Sequence, residues 1–446
     1  MDVMSEKTGD DKRAGVLTGL CVGSALGAPL ENAKPGAVKS TFGDVTEYVD
    51  VEKMVVHKLH RWRTPGLYGL DAQLALALLD TAFTGRTFDP ERAGALIVAL
   101  SRGDAALPFG ALRGAGRDIQ DAVLALKQLK PWAEAGRPYA GVAPAARIAP
   151  LAVWYGDKPH ALPEIIIQAS LLTHRNPMSV SAAAAVAHLA LEFLDRGSLT
   201  ARECPALMES AAAFARDVED RLAAHYPDSL HGTDAGRTLH VLSATLEQLA
   251  GRLEQDDEPV RQWLVSNARE YYPHELARAA IDFAPSCAPY ALYVFMRHAA
   301  EPGKALAASV ARGGAAGALG AITGALCGAL HGESGLPEQL LGGLANRRQI
   351  RARALALAAR KVSGAQLQNT YDMEESLTRK EIQEREARMR KNKRFSAAQE
   401  KKALKKGLAP KESNEKSPSK QKLDRKKLKN LKEKQRDWTR YLPPQD

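Results

Sequence analysis

Apolar residues recur along most of the chain at the three- and four-residue spacing of helices, and Gly, Pro and short polar breaks cut the pattern into pieces. From about residue 13 to residue 365 the runs follow one another almost without the Val/Ile/Thr alternation of strands. One boundary is fully spelled out in THRNPMSVSAAAAVAHLALEFLDRG: Asn176 is placed to cap, Pro177 suits the first helical turn, and Gly197 ends a helix of about twenty residues. Further helices are predicted after Pro90 (ERAGALIVALSR), Gly116 (RDIQDAVLALKQL), Pro163 (EIIIQASLL) and Arg348 (QIRARALALAARKV). No repeat of solenoid length is visible, so the expectation is one all-α domain over residues 13–365.

Two segments depart from ordinary amphipathic patterning. GLCVGSALGAPLE (19–31) and GGAAGALGAITGALCGALHG (313–332) space glycines three or four apart, which strips one helix face of side chains. Each such glycine weakens the helix, so the bare face must gain close approach to another helix or to a ligand. A third stretch, PGLYGLDAQLALALLD (65–80), sets a single carboxylate, Asp71, before a helix apolar on nearly every side. Locally Asp71 reads as a helix N-cap.

Composition agrees with helix packed on helix: 45% of the 446 residues are hydrophobic and only 6% aromatic. Charge changes the picture. Residues 385–446 hold 22 Lys/Arg against 8 Asp/Glu, so the net +10 of the whole chain is a tail of +14 on a body of −4. The segment 375–446 has too few apolar residues for a core and is expected to be disordered or a solvated helix. Such a tail is suited to RNA, ribosomes or an acidic protein partner, although Phe395, Trp438 and Tyr441 offer little for reading bases.

The four cysteines, at 21, 204, 287 and 327, form no CxxC pair and suggest a reducing compartment. The charged start, MDVMSEKTGDDKRAG, lacks a secretory pattern, and the longest apolar run, 315–330, is short and glycine-rich for a membrane span. A cytoplasmic location without membrane contact is the expectation.

Five segments in order resemble the ADP-ribosylglycohydrolase family over about residues 13–360. GSALGAPLE (23–31) follows the family's Gly-Asp-Ala-Leu-Gly helix and its Glu, with Ser24 in place of Asp. PGLYGLDAQLALAL follows Pro-Gly and Thr-Asp-Asp-Thr-Gln, Arg147 to Pro150 match Arg-Ile-Ala-Pro, and THRNP (173–177) matches the Thr-His-x-Asp/Asn-Pro turn. GGAAGALGAITGALCGAL stands where the family has Gly-Gly-Asp-Thr-Asp-Thr. The resemblance implies an all-helical glycosidic-bond hydrolase that removes ADP-ribose with a pair of magnesium ions.

That implication fails at its own ligands. The oxygen-bearing triplets read Gly69, Leu70, Asp71 and Ala315, Gly317, Ala318, so Asp71 alone of six survives. Hard divalent cations need several such oxygens, and two of them close together need more. No metal or other cofactor is therefore expected, magnesium returning only if this reading is wrong. The resemblance further implies Glu31 and Asp71 as candidate catalytic residues and His174, Gly313 and Gly314 as candidate ligand contacts; locally His174 reads as a turn residue supporting the Asn176 cap. The basic cluster His57, Lys58, His60, Arg61 and Arg63 reads as a solvated loop or a phosphate contact. Three functions follow: a pseudoenzyme that binds ADP-ribose or a relative, an active hydrolase working through Glu31 and Asp71, or an adaptor acting through its tail.

Overall fold

The computed structural model describes residues 3–405 apart from 86, 108 and 363–366, with side chains described over 9–392. Among these residues it contains twenty α-helices and four short 3-10 helices and no strand, which makes the fold all-α as the periodicity predicts. Contacts divide the chain into a body, Met1–Arg385, and a second unit, Glu386–Asp446.

Local signals end helices where the chemistry predicts, with one instructive shift. Asn176 accepts from the N–H of Met178, with Pro177 in the first turn, and Asp89 accepts likewise from Arg92 ahead of Pro90. The helix Pro177–Leu194 stops before Gly197 because the buried ammonium of Lys12 takes the carbonyls of Phe193, Leu194 and Arg196. A lysine from a distant helix thus satisfies the C-terminal acceptors. Among the described residues two helices are long and apolar enough to cross a membrane, Gly9–Leu30 and Pro177–Leu194, and 94% and 78% of their most apolar windows are buried inside the protein.

The two glycine-rich segments meet each other. The opening helix, Val3–Gly27, packs antiparallel on the helix Ala316–His331, with Gly15, Gly19, Gly23 and Gly27 facing Gly328, Gly324, Gly320 and Ala316. A Cβ on Gly23 would stand 1.8 Å from the Gly320 carbonyl oxygen and one on Gly19 would stand 2.1 Å from that of Gly324, so backbone lies on backbone. The packing has a functional consequence. Because the helices run oppositely, the C-terminal end of the first, continued by the 3-10 turn Ala28–Leu30, delivers Glu31 beside the N-terminal turn of the second.

The tail boundary expected at 375 falls inside a helix, Thr370–Lys405, whose first turns belong to the body. Met373, Glu374, Thr378 and Glu381 are all buried there. Its start is fastened by Arg353, fully buried, whose guanidinium grips Asp80 at 2.8 and 2.9 Å and the Gln368 carbonyl at 2.8 Å. An apolar-content criterion misses this docking because, with Thr370 counted, four of the five buried side chains are polar and dock through hydrogen bonds and charge. The basic segment 406–446, with its expected RNA or protein partner, lies outside the described residues.

Candidate functional site

A cavity of about 420 Å³ opens where the ends of the two glycine helices meet. Four carboxylates form one part of its lining, Glu31, Asp71, Asp118 and Asp282, and five basic residues another, His60, Arg61, Arg63, Arg113 and Arg278. Glycines 69, 114, 116, 314 and 317 bring bare backbone to the surface between them. His57 and Lys58 of the basic cluster lie elsewhere.

Glu31 is held by the helix it meets. Its Oε1 accepts from the N–H of Gly317 at 2.8 Å, and the Arg61 guanidinium donates to its carbonyl oxygen at 2.9 Å. Burial, followed by the negative charge of Asp71, pushes its carboxyl up to about 8; the Gly317 N–H and the charge of Arg63 restrain the rise. Asp71 is not the N-cap. Gly69 occupies that position, its N–H donating to Ser24 Oγ at 3.1 Å, and Asp71 sits one residue inside the helix Leu70–Phe83 with its carboxyl facing the cavity. Burial, then the charge of Asp282, raises it to about 7, against the pull of Arg147.

The other two acids have firmer supports. Burial pushes Asp118 up, but the adjoining His174 and the N–H groups of Ile119 and Asp118 together hold it below the usual carboxylate range. His174 Nε2 lies 2.8 Å from Asp118, and its Nδ1 lies 2.9 Å from Thr173 Oγ1, which accepts in turn from Arg147 at 2.6 Å. His174, expected at the ligand, is thus fully buried behind the cavity wall and orients Asp118 from there. Asp282 accepts from the Val142 N–H at 2.9 Å, and burial with the charge of Asp118 raises its carboxyl. The surface Asp282 leaves open is cavity lining. Gly314 also lines the cavity, and both it and Gly313 have φ of +63°, a conformation suited to glycine. Gly313 is turned away, packed on the Ala33 carbonyl.

The sequence reading missed Asp118, Asp282 and Arg278. Asp118 is legible only as a first-turn acid of the helix Arg117–Lys127. Asp282 lies in an irregular stretch and carries no sequence signal.

The donor set does not fit a magnesium pair. Among the described residues no three His, Cys, Asp or Glu side chains converge closely enough to hold one ion. A Cβ on Gly317 would lie 2.8 Å from Glu31 Oε1 and 3.7 Å from Asp71 Oδ2, so the Glu31 carboxyl fills the space into which a side chain at 317 would reach.

These shifts make stability depend on pH. Glu31 and Asp71 bind protons more tightly folded than unfolded, so their contribution is complete below the ordinary values of 4.5 and 3.8 and is lost as pH rises through about 7 to 8. Glu31→Gln, which keeps an acceptor for Gly317, is expected to flatten the fall in urea-unfolding stability between pH 5 and pH 8. An unchanged slope would contradict this assignment.

Comparison with known proteins followed the same lines. A family profile described as ADP-ribosylglycohydrolase matches residues 5–369. A solved structure named "ADP-ribosylglycohydrolase-related protein complex" is 25% identical, with a TM-score of 0.56, over 80% of this chain and 100% of that one. No curated relative matches.

Proposed function

The chain belongs to the ADP-ribosylglycohydrolase family, and from that premise we propose that its cavity binds an ADP-ribose-like ligand without cleaving it. One observation carries this reading. The cavity keeps a basic wall of Arg61, Arg63, Arg278 and His60, suited to a diphosphate, while the Glu31–Gly317 hydrogen bond occupies the side where metal ligands would stand. Arginine forks recognise phosphate oxygens, and a protonated Glu31 beside a half-ionised Asp71 can donate to and accept from ribose hydroxyls.

Calorimetric titration with ADP-ribose is expected to show binding that is indifferent to magnesium or EDTA. Arg63→Met should weaken it about tenfold, the scale of one charge-assisted hydrogen bond. Peptides ADP-ribosylated on arginine or serine should be bound without release of ADP-ribose. Magnesium-dependent release would overturn the proposal, and metal-independent release abolished by Glu31→Gln would favour a hydrolase working through Glu31 and Asp71.

A further inference from the structure

We propose that residues 370–385, which follow the family-matched part of the chain, are a working part of this ligand site, with Glu381 the positioning residue for Arg63. The inference rests on the reading of the cavity as a binding site for an anionic ligand.

Arg63 lines the cavity, and its Nη1 donates to Glu381 Oε2 at 2.9 Å. Glu381 is 1% exposed at its side chain, and its other oxygen accepts from the Thr64 N–H at 3.3 Å. Thr64 Oγ1 donates in turn to Glu384 at 2.9 Å, so the helix holds both the arginine and the backbone that follows it. The opposite flank is bare: a Cβ on Gly114 would come within 2.2 Å of Arg63 Nη2, and the guanidinium lies against that backbone. The neighbouring Arg113 is itself fixed to the same helix, 2.7 Å from Glu374 and 3.1 Å from Thr378 Oγ1. Arg63 is therefore clamped between two features that the helix controls.

Glu381 also accepts from Arg385 at 3.0 Å, so its one carboxylate is shared between two guanidinium groups and does not spend its whole charge on Arg63. A long, flexible side chain held in place beforehand loses less freedom when a phosphate arrives. The same arginine also restrains the protonation of Glu31, which links the helix to the acid side of the cavity.

The test uses the full chain and its Glu381→Gln, Glu381→Asp, Arg63→Met and Arg63→Met/Glu381→Gln variants. Modification of Arg63 by phenylglyoxal, read by peptide mass mapping, reports its confinement without any ligand; ADP-ribose titration reports the site. Glu381→Gln is expected to speed Arg63 modification several-fold and to weaken ADP-ribose about tenfold, with Glu381→Asp between it and the parent. The double variant should bind no more weakly than Arg63→Met alone. Unchanged Arg63 reactivity, or additive losses in the double variant, would overturn the inference and leave the helix a merely structural role. Were Glu381→Gln not to fold, Glu381→Asp is read by the same criteria. Failure of the parent chain to bind ADP-ribose sinks the ligand assignment instead, and Arg63 reactivity then decides the positioning role alone.

Discussion

Gly23→Ala is expected to destabilise the protein severely, although it adds a single methyl group. The new carbon would stand 1.8 Å from the Gly320 carbonyl oxygen, well inside any van der Waals contact. The obstacle is backbone, and no rotamer change can relieve it; the helices Val3–Gly27 and Ala316–His331 must separate along their length. Overpacking of a core costs about 1–3 kcal/mol when side chains can adjust, and this case belongs at or above about 3 kcal/mol. Against a total stability of about 5–15 kcal/mol, that is a large part of the whole. Separation would also pull Glu31 from the Gly317 N–H, coupling fold to site. Thermal unfolding compared with Gly36→Ala, where an added carbon meets nothing within 4 Å, checks the claim. Equal melting of the two variants would show that the helices tolerate separation.

Glu374→Gln is expected to destabilise by about 3–5 kcal/mol, the range for removing one partner of a buried ion pair. Glu374 and Arg113 are 0% and 1% exposed and 2.7 Å apart. The carboxylate also accepts from Tyr68 at 2.6 Å and Gln73 at 2.7 Å. A glutamine there leaves a buried guanidinium without its counter-charge and sets an amide donor against other donors. Replacing both members by methionine should cost less than Glu374→Gln alone, because the desolvated cation goes with its partner. Urea unfolding of the single and double variants measures the difference. A double variant worse than the single would mean that the pair contributes by more than mutual compensation.

The same two regions mark how far the sequence could be read. The glycine spacing at 19–31 and 313–332 announced bare faces, but equally for a ligand or for another helix. Each face in fact serves the other, and the cavity lies at the ends of the pair. The helix cap at Asn176 was legible because a cap is a contact between residues two or three apart, and the cap at Asp89 went unread beside Pro90. Asp71 was legible as a carboxylate out of place, but its local reading as a cap fails because Gly69, two residues earlier, is the cap. His174 was placed at the ligand by resemblance and stands one layer behind it, against Asp118. The Thr370 helix was hidden for another reason: polarity reads as solvation until a partner of opposite charge is found, and Glu374 finds Arg113 across 261 residues.

Sequence by itself determined the all-α class, the helix starts marked by Asn176, Pro177 and Pro90, and the absence of oxygen ligands at 69, 70, 315, 317 and 318. All of these are written in residue identity and spacing over a few positions. Only the tertiary structure decided that Glu31 meets Gly317, that Asp118 and Asp282 join it around one cavity, and that Glu381 holds Arg63. Those relations join residues 87 (Glu31 and Asp118) to 318 (Arg63 and Glu381) positions apart, and close packing of helix on helix sets them, which no local pattern encodes.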